Sequence, residues 1–348
     1  MSDVIIDWAP IGSDSTRQVS ATLPPQSGSN GGSSGSTTFE PFAIQAGGSG
    51  NDEGWDVKTL ADGSAIITGF FQGTATFGAL EITSAGWNEI FVAKVDANGE
   101  WEWVTSANTT GAVPSGRGVD IFPDGSAIVT GGFSGNATFG SNEIISAGGT
   151  DIFVAKIDSN GDWVWATTAG GSGDVEGRGI TILSDNSAVM TGYFEGTVTF
   201  GSNEIISQGG GDIFVARIDS DGNWMWVTNA EGSENFDTSQ GIDILSDNSA
   251  IITGLFRDTV TFGSYELTSV GGTDVFVARI DSDGDWVWAM NIGGIGNDVG
   301  LGVSSLSDDS ILVTGAFENT VLFGSQEFTA TGDNDIFVAR IGPDGSWD

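Results

Sequence analysis

Cysteine and histidine are both absent from the sequence. Without cysteine there is no disulfide, no thiolate nucleophile and no thiolate-bound zinc; without histidine the usual acid–base group near neutral pH and the usual transition-metal ligand are missing. Positive charge is nearly as scarce, with 10 Lys and Arg against 47 Asp and Glu, a net charge of −37. A chain this acidic is repelled by phosphate backbones and anionic headgroups, so nucleic acid is excluded as a partner. No apolar run approaches the roughly 20 residues of a membrane-spanning helix, and the opening MSDVIIDWAPIGSD lacks the basic start and long apolar core of a secretory signal. Neither membrane insertion nor Sec export is expected, and an extracellular, cell-surface or virion location requires another route.

Glycine and large aromatics are in excess: 55 Gly, 21 Phe and 12 Trp, with 39% of residues hydrophobic and only 16% charged. Disorder is excluded by that balance. The stretch DIFVAKIDSNGDWVWA at 151–166 recurs as EIFVAKVDANGEWEWV at 89–104, DIFVARIDSDGNWMWV at 212–227 and DVFVARIDSDGDWVWA at 274–289, and a shortened DIFVARIGPDGSWD occupies 335–348. Phe91, Phe153, Phe214, Phe276 and Phe337 are spaced by 62, 61, 62 and 61 residues, as are Thr68, Thr130, Thr191, Thr253 and Thr314. Residues 1–38 stand outside this period. They hold a short apolar patch, VIIDWAP, and a Gly/Ser segment, QSGSNGGSSGSTT, with the composition of a flexible linker.

Within each copy, period-two alternation and Gly, Asp and Asn punctuation predict four antiparallel strands joined by short turns. The first turn carries Asp62-Gly63 or its equivalent, and the third carries Gly99, Gly161, Gly222, Gly284 or Gly345. Between the second and third strands an extra hairpin is expected, as in TVTFGSNEIISQ at 197–208. Repetition of such a unit predicts an all-β, five-bladed β-propeller at 39–348, following an N-terminal arm at 1–38. The last copy stops at Trp347-Asp348, and Pro41-Phe42-Ala43-Ile44-Gln45 supplies what is missing from its fourth strand. The N-terminal strand is therefore expected to close the ring and leave no free sheet edge.

Each repeated residue has a packing role and a binding role to weigh. The paired tryptophans 101/103, 163/165, 224/226 and 286/288 share a strand face and are assigned to packing on the adjoining blade rather than to a sugar platform. Lys94, Lys156, Arg217, Arg279 and Arg340 are expected to pair with the one Glu of each hairpin (Glu81, Glu143, Glu204, Glu266, Glu327). Asp281-Ser282-Asp283-Gly284-Asp285 begins like a calcium loop, but its Gly stands fourth rather than sixth, so a hairpin turn is favoured. No cofactor is assigned; weak calcium binding by clustered carboxylates is left open. Long connections between blades gather at one end, and binding residues concentrate on such loops. The acid opening each third strand, Glu89, Asp151, Asp212, Asp274 and Asp335, is the candidate ligand contact there, with Trp87 and Asn88, or else an acceptor of backbone N–H groups in its own turn. Val4, Ile5, Ile6 and Trp8 are candidate docking residues for a protein partner. Asp120 and Asp243 could imitate a glycosidase carboxylate pair, but near-identical blades argue against it, and no enzymatic activity is expected.

The pattern W-x-W-A, G-G, G-x-x-I, T-G-x-F and D-I-F-V-A-K over residues 40–348 resembles the SBBP-type β-propeller repeats of bacterial surface and secreted proteins. Five blades are similar in architecture to tachylectin-like lectins, a resemblance that implies one sugar per blade. The function expected is non-enzymatic, multivalent recognition of a glycan or other cell-surface component through the loop-rich face, with the arm as tether. The alternative is a structural or decoration protein of a larger assembly, such as a virus particle or surface layer.

Overall fold

A computed structural model describes residues 42–85, 88–111, 114–233 and 235–347. Among them there is no helix, and therefore none long and apolar enough to cross a membrane. Four of the copies each form a four-stranded antiparallel unit, and the last forms a three-stranded one. In the first, Glu53–Thr59, Ala65–Phe71, Glu89–Val95 and Trp101–Thr109 pair in sequence order, all antiparallel. The hairpin Thr74–Phe77 and Leu80–Thr83 lies between the second and third strands. In the fourth copy the hairpin arms are continuous with their neighbours, giving the long strands Ala250–Phe262 and Tyr265–Ile280.

Hairpins do more than decorate the loops. The first arm of each of these hairpins pairs with the end of the preceding repeat's fourth strand: Ala137 with Thr109, Val198 with Gly171, and Val321 with Gly294. Thr261 bridges Glu231 in the same way. For the first repeat, Ala46–Gly48 fills this place against Thr74–Phe77. The Gly-Gly pairs permit the approach, since a Cβ on Gly171 or Gly48 would lie 1.9 or 1.8 Å from a carbonyl oxygen of the opposing arm.

Tryptophans hold the repeats from the other end. The first of each pair packs inside its own repeat, edge-on to the hairpin Phe: Trp163 on Phe139, and Trp224 on Phe200. The second reaches the next repeat. Trp103, Trp165, Trp226 and Trp288 lie over Gly161, Gly222, Gly284 and Gly345, and their indole N–H groups donate at 3.1 Å to the carbonyls of Ser159, Ser220, Ser282 and Pro343. Packing on the adjoining repeat is the main role of the second member, and the first also reaches back, the Trp163 indole N–H donating to the Ser106 carbonyl of the preceding repeat at 3.3 Å.

The expected hairpin ion pairs do not form. Arg217, Arg279 and Arg340 instead meet Asp185, Asp247 and Asp308 of the first turn at 2.6, 2.5 and 2.6 Å, and Lys94 meets Glu102 at 2.8 Å. Register explains this: Arg217 lies opposite Val189, just after the turn, whereas the hairpin leaves the far end of that strand.

Apolar clusters straddle successive repeats, joining Ile152 and Val154 to Val175 and Phe194, and Ile213 and Val215 to Ile252 and Phe256. The last sheet has three strands, and Asp335–Ile341 has no outer partner among the described residues. The expected addition of the N-terminal strand to this edge is not among the pairings described; residues 39–41 lie outside the described residues.

Candidate functional site

The acids that open the third strands are turned inward. Glu89, Asp212 and Asp274 are fully buried, Asp151 is almost so, and Asp335 is half-buried. Each accepts a backbone N–H from four residues earlier, Ala85, Ala147, Gln208, Val270 or Thr331, at 2.5–3.1 Å. A second acid from the following loop approaches three of them. Oxygens of Asp212 and Asp237 lie 2.8 and 2.2 Å from the point where a side chain on Gly232 would begin. Asp174 and Asp298 likewise face Asp151 and Asp274, and the mutual charge raises the pKa of both Asp151 and Asp274. Burial is the larger cause; it pushes Asp274 up to about 6 and Asp237 to about 7. Oδ1 of Asp151, Oδ2 of Asp237 and Oδ1 of Asp274 accept no hydrogen bond among the described residues. The other oxygens of Asp151, Asp237 and Asp274 accept the N–H groups of Ala147, Arg257 and Val270. No group of three or more His, Cys, Asp or Glu placed to hold a metal occurs among the described residues.

The calcium-like turns also serve the backbone: Asp281 accepts the N–H groups of Asp283 and Asp285 at 2.9 Å. Asn88 is half-buried and its carbonyl accepts the Thr109 hydroxyl. Trp87, Val4, Ile5, Ile6 and Trp8 lie outside the described residues.

A different set of side chains converges where the long loops enter the first strands. Every first strand has a register shift near its start: Gly54/Asp56, Gly116/Gly118, Gly177/Gly179, Ser239/Gly241 and Gly300/Gly302. Such bulges re-aim one side chain out of the ladder. Those residues are Trp55, Arg117, Arg178, Gln240 and Leu301, a different environment in almost every repeat. From Trp55 to Gln240 the members are linked in sequence. The Arg117 guanidinium lies 3.7 Å from the Trp55 ring centroid. Its Nε donates to Glu176 at 2.9 Å, and Arg178 reaches the other oxygen of Glu176 at 3.4 Å. Arg178 also donates to Gln240 at 2.9 Å and lies over Tyr193, which meets Phe236 edge-on at 4.7 Å. Glu176 is buried, while Trp55 and Phe236 are 37% and 41% exposed. Burial lowers the pKa of Arg178, opposed by Glu176, and raises that of Tyr193.

Sequence reading did not find this row. The available signal was Gly-x-Gly with a changing middle residue at Arg117, Arg178 and Leu301. Asp120 and Asp243 are not free to act as a catalytic pair. Asp120 accepts the Ile182 N–H at 2.8 Å and pairs with Lys58 at 3.2 Å, and Asp243 accepts the Ser305 N–H at 2.7 Å, so each clamps the first strand of the next repeat.

No family model matches the chain. It is 25% identical over 331 residues to an uncharacterized WD repeat-containing protein of Acanthamoeba polyphaga mimivirus, covering 75% of this chain and 24% of that protein. The chain thus spans about a quarter of the curated relative's length. Similar solved structures include a Bacteroides caccae protein of unknown function (10% identity, TM-score 0.38, 77% of this chain and 82% of that one). A streptogramin B lyase matches at 11% identity and TM-score 0.39, over 80% and 83% of the two chains. A GH43_12 protein from a capybara gut metagenome matches at 8% identity and TM-score 0.33, over 82% and 59%. An all-β repeat fold of β-propeller type agrees with the sheets and with the WD-repeat relative. The expectation that the chain is not an enzyme is corrected: with a lyase and a glycoside hydrolase family 43 protein among its structural matches, catalysis is no longer excluded.

Proposed function

We propose that the chain recognises carbohydrate at the loop-rich end of its first strands, through Trp55, Arg117, Glu176, Arg178, Tyr193 and Phe236. One observation carries this reading: a framework copied five times holds bulge side chains that differ between repeats. Packing accounts for what is repeated, and the differing residues unite part-exposed aromatic rings with polar groups fixed in orientation. That combination serves a sugar ring, whose C–H face stacks while its hydroxyls take directed hydrogen bonds. The unlike residues favour one asymmetric central site over five equal ones. Display on a cell surface or particle, with residues 1–38 as tether, would let many copies act together. On a glycan array the intact chain is expected to bind, with Trp55→Ala losing at least tenfold; absence of any glycan signal, or a Trp55→Ala signal equal to wild type, would overturn the reading.

The five repeats are further proposed to close into a ring. Ile90 and Val92, Ile152 and Val154, Ile213 and Val215, and Val275 and Val277 are all fully buried, while their equivalents in the last repeat, Ile336 and Val338, are 71% exposed. Burying such a side chain is worth about 1.5–3 kcal/mol. Trp347 packs on Gly324 as Trp163 packs on Gly140, so it is the first tryptophan of its pair, and Phe42 covers Gly99 as Trp165 covers Gly222. Trp347 and Phe42 together therefore make up the pair that the last repeat lacks.

A further inference from the structure

Resting on the carbohydrate reading above, we infer that the ligand carries a carboxylate, making it an acidic sugar, and that Arg117 binds that group. Positive charge is the rarest resource of this chain, and most of it is committed elsewhere. Arg217 and Arg279 each use Nε and both terminal nitrogens on Ser, Asp and backbone oxygens of the framework. Arg117 is held differently. Its ring-like face lies on Trp55 and its Nε is fixed by Glu176 and Ser115, yet its two terminal nitrogens make no hydrogen bond among the described residues. A guanidinium held by its face and inner edge presents its outer edge as a planar fork, the geometry that matches a carboxylate in a bidentate pair. The half-exposed Trp55 beneath it offers the adjoining stacking surface. Arg178 adds a second positive charge beside Glu176, while the acids Asp174 and Glu195 act on the adjoining Tyr193. A carboxylate ligand must cross the negative field of the whole molecule before reaching this cluster, and added salt screens that repulsion over about 10 Å at 0.1 M.

The test compares uronic-acid and sialylated oligosaccharides with their carboxyl-reduced counterparts, using the intact chain at low and physiological salt. Wild type is expected to prefer the carboxylate form at least tenfold. Arg117→Gln should abolish the preference while keeping weak binding to both forms, and Arg117→Lys should keep part of it. Equal binding of acid and reduced forms by wild type, or binding of neither form, overturns this inference and leaves the carbohydrate reading standing; absence of any signal across a whole glycan array overturns both. Because the reduced-ligand comparison uses unmodified protein, a folding defect in either variant does not obscure the outcome.

Discussion

Trp165 over Gly222 shows how little freedom the junction residues have. Gly222 has φ of +87°, and a Cβ there would lie 3.1 Å from the indole ring of Trp165. For an L-residue the left-handed conformation alone costs about 1–2 kcal/mol. Gly222→Ala is accordingly expected to destabilise the chain by at least that amount in urea denaturation, whereas Ala at the open Gly73, with nothing within 4 Å, should meet only the backbone term. Equal losses at both positions would show that the tryptophan contact contributes nothing. The tryptophan pairs were legible in the sequence as packing because two residues on one strand face repeat with the blade. Their division of labour was not, since it depends on which repeat each ring faces. Arg117 and Arg178 escaped for a related reason: a bulge shifts register by one residue, and simple alternation does not reveal where it occurs.

At the scale of elements, the junction between a third strand and the loop entering the next repeat is a buried pair of acids. The folded-state pKa of Asp237, about 7, and of Asp274, about 6, are raised above the ordinary 3.8 of an unfolded carboxyl, chiefly by burial. The folded chain therefore holds more protons than the unfolded chain between those values and pH 4, and this stability is lost as pH rises through 6 to 7. The turn aspartates work in the opposite sense: Asp185 and Asp247 have pKa values lowered by Ser and Arg partners, with a contribution that disappears only below pH 4. Thermal stability is expected to be highest near pH 4 and to fall until about pH 7, where it levels off, and Asp237→Asn should flatten that fall. A melting temperature that rises steadily from pH 5 to 8 in the unsubstituted chain would contradict this. The sequence offered both a ligand role and a backbone-acceptor role for Asp151 and Asp212; their inward orientation, which periodicity cannot supply, accounts for the backbone bonds they accept.

For the whole molecule, four strands, an added hairpin and five repeats could be read from spacing because every turn carries its Gly, Asn or Asp. Spacing could not place the hairpin against the preceding repeat, a contact that depends on the close approach allowed by Gly171 and Gly294. Ring closure decides whether Trp55 and Leu301 end the row of bulge residues or become neighbours around one central site. Hydrogen exchange along Asp335–Ile341 tests it most directly. The amides of that strand that do not pair with Ile311–Phe317 are expected to be protected to the level of their equivalents in Asp212–Ile218, at any protein concentration. Exchange at the rate of an open edge, or protection that appears only as concentration rises, would contradict closure within one chain.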